Sequence, residues 1–140
     1  MKIKRVEHVA IAVNDIDAVA KVFSDTLGLE MEYTEEFKKH HTKVGMFPLG
    51  DCAIELVQGT DPQARAARWI QNHGQSIFHI CLEVEDIDQS LAELKRKQVK
   101  LIHETPVMGH GNSRIAFIDP SSTAGILFEL VQLPDQKQNR

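Results

Sequence analysis

Cysteine is scarce. The chain carries only Cys52 and Cys81, too few for a disulfide framework. A reduced, cytoplasmic setting is therefore expected. Long hydrophobic runs are also missing: no stretch approaches the roughly 20 apolar residues that a membrane-spanning helix needs. Met1-Lys2-Ile3-Lys4-Arg5 leads directly into a strand pattern with no apolar core behind it, so no secretory leader is expected. Positive charge is not in excess. The net charge is −4, which excludes a chain-wide basic field for nucleic acid or an anionic membrane. An anionic substrate would need a local basic pocket. The rest is ordinary for a globular protein: 140 residues, 42% apolar and 26% charged. That is enough for one compact domain, or for two small modules sharing a core.

One stretch occurs twice. Val6 to Asp17 reads VEHVAIAVNDID, and Ile77 to Asp88 reads IFHICLEVEDID. His8 matches His79, and Asp15-Ile16-Asp17 matches Asp86-Ile87-Asp88. A second echo follows, with Ala53-Ile54-Glu55-Leu56-Val57 answered by Leu127-Phe128-Glu129-Leu130-Val131. Each half thus opens on a strand carrying a His and ends on a strand carrying a Glu. Such internal repeats fix the architecture before local detail does.

Within Val6 to Val13, the bulky Val9, Ile11 and Val13 alternate with His8, Ala10 and Ala12. Strand side chains alternate in direction, so one face is greasy and the other is small around a His. Ile80, Leu82 and Val84 against His79, Cys81 and Glu83 repeat that parity. Asn14-Asp15 starts an amphipathic helix through Ile16, Val19, Ala20, Phe23 and Leu27, ended by Gly28. Strands are predicted over 30–37, 42–49 and 52–58. Asp61-Pro62 reads as the start of a connector helix stopped by Gly74. Asp86 then caps a helix running to Lys97, and strands are predicted over 99–104, 113–118 and 125–132. The Gly109-His110-Gly111-Asn112-Ser113-Arg114 stretch is a loop entering the penultimate strand. The predicted fold class is α+β, two tandem βαβββ modules: residues 1–58, a connector over 59–75, residues 76–133, and a polar tail over 134–140. The greasy strand faces pack on the helices, and the His-bearing faces line a cleft.

His8, Glu55, His79 and Glu129 are the residues that could carry chemistry. Two imidazoles and two carboxylates suit a divalent first-row metal and leave positions open for substrate. A purely structural role for each is the competing reading. The matched repeat positions and shared parity favour metal. A carboxylate inside ILFELV is also costly to bury without a partner. His40, His41 and His103 read as surface residues. Trp69 and Ile70 read as packing of the connector helix. Cys52 and Cys81 read as core rather than nucleophiles.

The chain resembles the vicinal oxygen chelate superfamily, and within it the methylmalonyl-CoA epimerase family, over nearly its full length. The matching pieces are HVAIAVNDID, LGLE, FPLGDCAIELV, ARAARWIQNHG before IFHICLEVEDID, and GNSRIAFIDPSSTAGILFEL. The resemblance implies an open barrel with a metal cleft. It implies His8, Glu55, His79 and Glu129 as ligands of one divalent ion per chain: cobalt, nickel, manganese or zinc. It implies an isomerase that epimerises methylmalonyl-CoA, or a similar 2-substituted acyl-CoA thioester, through a metal-stabilised enolate. Two bases are then needed, Glu129 for one and its counterpart Glu55 for the other. Arg114 and Ser122 are candidates for substrate binding, and a homodimer is the expected assembly. Two places depart from the family pattern. Asp119-Pro120-Ser121-Ser122 stands where His-Pro-Lys-Ser is usual, and Lys43 stands where some relatives carry a second catalytic Glu. The alternatives are a glyoxalase I-type lactoylglutathione lyase and a non-enzymatic small-molecule-binding protein of the same fold.

Overall fold

The computed structural model describes residues Met1 to Asp135. The polar tail expected over 134–140 falls mostly outside these residues. Among the described residues there are eight strands and three α-helices, an α+β protein. The chain forms two compact units. One is His8–Phe78, and the other joins Met1–Glu7 to the residues from His79 onward. Strand β1 (Ile3–Ala12) begins in the second of these and ends in the first.

In the unit His8–Phe78, β1 is followed by α1 (Ile16–Leu27), β2 (Tyr33–Phe37), β3 (Thr42–Leu49), β4 (Cys52–Gly59) and α2 (Arg65–His73). The strand order is β2-β3-β4-β1. β4 is parallel to β1 and antiparallel to β3. Helix α1 starts where the Asp15 side chain accepts a hydrogen bond from Ala18 N at 3.1 Å, satisfying one of the orphan donors of the first turn. It ends at Gly28, whose φ of 68° is the left-handed conformation that favours glycine. Ile16 is fully buried and packs with Val13, Phe47 and Leu56, with Ile11, Val19, Ala20, Phe23 and Ile54 around them. Ile11, Ile54 and Leu56 therefore lie under the helix, as their parity predicts.

The other unit repeats the plan with β5 (Ser76–Val84), α3 (Ile87–Arg96), β6 (Val107–Met108), β7 (Arg114–Ile118) and β8 (Phe128–Gln132), in the order β5-β8-β7-β6. Asp86 caps α3 by accepting from Gln89 N at 3.0 Å. Ile87, Leu91 and Leu94 pack with Val84, Ala116, Ile118 and Leu130. A separate apolar group, Cys81, Ile115 and Val131, lies on the opposite sheet face.

The repeat runs one residue beyond the echo that ends at Val57 and Val131. Both closing strands read Glu-Leu-Val-Gln, at 55–58 and 129–132. The Gln58 side-chain oxygen accepts from Ile16 N at 2.9 Å, and the Gln132 oxygen accepts from Ile87 N at 2.9 Å. In each unit the last strand thus satisfies a donor at the start of the helix that covers it.

Four sequence expectations need correction. No strand forms over 99–104. There Ile102 N and His103 N both donate to Phe117 O, Lys100 N donates to Ser122 Oγ, and only a single bridge joins Leu101 to Ile118. Pairing starts later, at Val107. Asp61-Pro62 does not begin α2: Asp61 accepts from Gln63 N and Ala64 N in a turn, and the helix starts at Arg65. β8 starts at Phe128 rather than 125, because Ala124 (φ 57°) and Gly125 (φ 83°) turn the chain. β2 starts at Tyr33 rather than 30.

Helix α2 approaches β4 at Gly59. A Cβ on Gly59 would stand 2.9 Å from Ala64 Cβ, 3.0 Å from Ala67 Cβ and 3.2 Å from Ala67 N. These neighbours are backbone or fixed to it, so they cannot turn aside. Gly59→Ala is expected to destabilise the protein by about 1–3 kcal/mol through overpacking, read as a fall in the urea midpoint at unchanged slope. An unchanged midpoint would mean that α2 is not docked on β4 as described.

Candidate functional site

Each unit builds one His–Glu pair from its own strands. In the first, β1 presents His8 and β4 presents Glu55. The register places Ala10 opposite Glu55, so His8, two residues back, shares Glu55's sheet face. His8 Nε2 lies 3.4 Å from Glu55 Oε1. In the second, Cys81 is opposite Glu129, and His79 Nε2 lies 3.7 Å from Glu129 Oε1. The His79 ring meets Phe117 edge-on, with centroids 5.0 Å apart. All four side chains belong to buried residues, exposed by 0% (His8), 5% (Glu55), 3% (His79) and 6% (Glu129).

Those separations bear on what the pairs can hold. A closed, charge-assisted hydrogen bond between imidazolium and carboxylate is roughly 2.7–2.9 Å long, and both pairs are wider. Nitrogen and oxygen ligands held about 2.0–2.2 Å from one ion at ordinary angles stand roughly 3.0–3.7 Å apart. Both pairs match that spacing. Neutral imidazole nitrogen and carboxylate oxygen are also the donor types that first-row divalent ions take. The residues therefore fit a cation.

A third pair has a different character. His110 Nε2 lies 2.6 Å from Glu7 Oε1, with side chains 10% and 8% exposed. This is a closed contact. Sequence reading placed His110 in a loop and assigned Glu7 nothing. Glu83, on the Cys81 face, is bound by Arg5 Nε at 2.7 Å and Lys4 Nζ at 3.3 Å. His103, expected at the surface, is half-buried, and its Nδ1 accepts from Phe117 N at 3.0 Å.

Arg114 and Ser122, the expected substrate contacts, each have a partner within the protein. Arg114 is opposite Gln132 in the ladder, on the sheet face away from Glu129. Its guanidinium donates to both carboxylate oxygens of Asp88, at 2.8 and 2.9 Å. Ser122 Oγ accepts from Lys100 N at 2.9 Å. Lys43 is opposite Gln58, on the face away from Glu55, whereas Met46 is the β3 residue opposite Glu55. Both cysteines are thiols, Cys52 half-buried and Cys81 buried. Among the described residues no helix is long and apolar enough to cross a membrane.

A family model described as the glyoxalase/bleomycin resistance protein/dioxygenase superfamily matches residues 7–117. The ethylmalonyl-CoA/methylmalonyl-CoA epimerase of Cereibacter sphaeroides is 32% identical, over 94% of this chain and 99% of its own length. The mitochondrial methylmalonyl-CoA epimerase of Homo sapiens is 30% identical, over 91% of this chain and 73% of its own length. Among solved structures, a Streptomyces coelicolor methylmalonyl-CoA epimerase variant in complex with 2-nitronate-propionyl-CoA superposes with a TM-score of 0.89. It is 27% identical, over 94% of this chain and 96% of its own.

The Asp88–Arg114 contact has a pH signature. The hydrogen bond from Arg114 holds the Asp88 carboxyl below the usual aspartate value; desolvation opposes this, and the Arg114 charge adds to it. A depressed folded pKa adds stability above the unfolded value, and that stability is lost as pH falls through the folded one. Arg114→Gln is expected to move the Asp88 carbon-13 titration upward, toward the ordinary value. A midpoint unmoved by the substitution would refute the pairing.

Proposed function

Since the chain belongs to the glyoxalase/bleomycin resistance protein/dioxygenase superfamily and is an isomerase of the racemase/epimerase kind, we propose that it epimerises methylmalonyl-CoA or a similar 2-substituted acyl-CoA thioester. The observation that carries this reading is the pairing of a buried His with a buried Glu in each unit, at 3.4 and 3.7 Å. His8, Glu55, His79 and Glu129 would hold one divalent ion per chain. When bound, that ion supplies Lewis acidity for the negative charge that develops as the α-proton leaves.

The chain's own residues do the rest. Glu129 removes the α-proton. It stands between Phe128 and Leu130 in β8 and is nearly excluded from water; desolvation strengthens a carboxylate as a base and a nearby cation weakens it. Glu55 is its counterpart in the repeat and the other carboxylate of the ligand set. Phe117, opposite Glu129, and Ile115 with Val131 keep water from that sheet face. The working setting we propose is a reducing cytoplasm, which the two thiols suit, with a homodimer as the assembly that the family resemblance implies.

Two measurements test this. After loading with cobalt, nickel, manganese or zinc, elemental analysis should give one ion per chain, and His79→Ala should lose most of it. Full loading of the His8→Ala, His79→Ala double variant would sink the ligand assignment. With methylmalonyl-CoA in deuterated water, proton NMR should show α-proton exchange by the wild type. Glu129→Gln, which keeps an oxygen donor, should retain much of its metal and slow exchange of the epimer whose α-proton faces Glu129 about 100-fold or more, the usual weight of a general base. Wild-type-rate exchange of both epimers by the metal-loaded variant would leave Glu129 a ligand only. A wild type inert on methylmalonyl-CoA but active on the methylglyoxal–glutathione adduct would replace the epimerase reading with the lyase.

A further inference from the structure

Inverting a carbon centre requires a proton to leave one face and another to arrive on the opposite face. If Glu129 removes the proton, a second group must deliver one. Lys43 offers no help: it is opposite Gln58, on the face away from Glu55. The buried Glu7–His110 contact is unused by the chemistry described so far. It lies in the same unit as Glu129. A Glu7 carboxylate oxygen and Cys81 Sγ are within 4.8 Å of each other, and Cys81 is the residue directly opposite Glu129 in the ladder. The loop that carries His110 is tied onto that same sheet face. Gly109 stands so close to Ile115 that a Cβ there would be 2.6 Å from its Cγ2. Ile115 in turn packs with Cys81 and Val131.

We propose that the Glu7–His110 dyad is the second proton-transfer group of the epimerisation, His110 acting on substrate and Glu7 positioning it. This rests on the epimerase reading. A carboxylate only accepts, so His110 Nε2–H donates to Glu7 Oε1, which fixes the tautomer and makes Nδ1 the atom that gives and takes the proton. For one epimer, the α-carbon–hydrogen bond breaks and its electron pair remains in the enolate, while the proton goes to a Glu129 oxygen. A new carbon–hydrogen bond then forms on the other face with the proton from Nδ1 of the His110 imidazolium. The enzyme is left with protonated Glu129 and neutral His110, and exchange with water resets both. For the opposite epimer the roles reverse. Glu7 stays a carboxylate throughout and balances the imidazolium in a place where water is scarce.

Exchange and inversion, measured separately, distinguish this role from simple loop anchoring. A two-base enzyme that has lost one base still exchanges the α-proton of one epimer but no longer inverts it. The test follows α-proton exchange by NMR and inversion by a chiral readout, using each methylmalonyl-CoA epimer in deuterated water, with metal content measured in parallel. His110→Gln is expected to hold wild-type metal and to exchange one epimer at near the wild-type rate. Its inversion should fall by about 100-fold or more, the typical weight of a general acid–base group. Glu7→Gln keeps a hydrogen-bond acceptor for His110 and guards against a folding defect. It should lower kcat for inversion at unchanged KM. Exchange and inversion falling together in both variants would reduce the dyad to a loop anchor. Uncoupling by Glu55→Gln instead would give the second proton to Glu55. A wild type that exchanges neither epimer would overturn the epimerase reading itself.

Discussion

A carboxylate set in the middle of an apolar strand is the constraint from which the site follows. Glu55 stands between Ile54 and Leu56, and Glu129 between Phe128 and Leu130. The flanking side chains point to the helices and close the core, which forces the carboxylate to the other face. There it is nearly without solvent. A lone charge in such a place costs several kcal/mol, so it must be answered. In each unit the answer is an imidazole on the neighbouring first strand, set at ligand spacing rather than hydrogen-bond spacing. The sheet register that buries the helix-facing residues is therefore the same register that builds the donor pairs. A one-residue slip would lose both together.

The same economy governs the helices. Gln58, next to last in β4, and Gln132, last in β8, each begin a helix by accepting from the first helical N–H. The strand that carries the Glu is thereby fixed along its length relative to the helix that covers it. Rotating α1 or α3 would break the glutamine contact and unpack Ile16 or Ile87, which are fully buried. The position of the donor carboxylates is thus tied to core packing rather than to a flexible loop.

Much of this was legible in the sequence because it follows from period and parity. The alternation HVAIAV against ILFELV placed the helix-facing residues, and the repeat placed His8, Glu55, His79 and Glu129 on matched strands. Asp15, Gly28 and Asp86 announced helix ends through local chemistry alone. What escaped had no local period. Residues 99–104 look like a strand, yet their backbone groups bond to Phe117 O and Ser122 Oγ, partners distant in sequence. His103 reads as a surface residue until Phe117 N is known to reach it. Arg114 and Ser122 were read through the family pattern, but Arg114 is held by Asp88, 26 residues away. Glu7 and His110 are separated by 103 residues, and no spacing rule connects them. The repeated Glu-Leu-Val-Gln was within reach, since its final glutamine recurs as faithfully as its glutamate.

The repeat also explains why one such contact stands apart. Aligning His8 with His79 aligns Glu7 with Phe78. Phe78 is buried against Trp69, with ring centroids 5.5 Å apart, and Trp69 donates its indole N–H to Ser76 Oγ at 2.9 Å. The equivalent place in the first strand carries a carboxylate bound to a histidine instead. One copy of the motif therefore spends this position on packing and the other on a charged contact. A duplicated module alone yields two like His–Glu pairs, suited to a symmetric task such as holding an ion. The proposed substrate, a thioester with a carboxylate on one side of its α-carbon and a coenzyme on the other, is not symmetric. Under that proposal, unequal surroundings come from positions where the copies have diverged, and the residue just before each first-strand histidine is such a position.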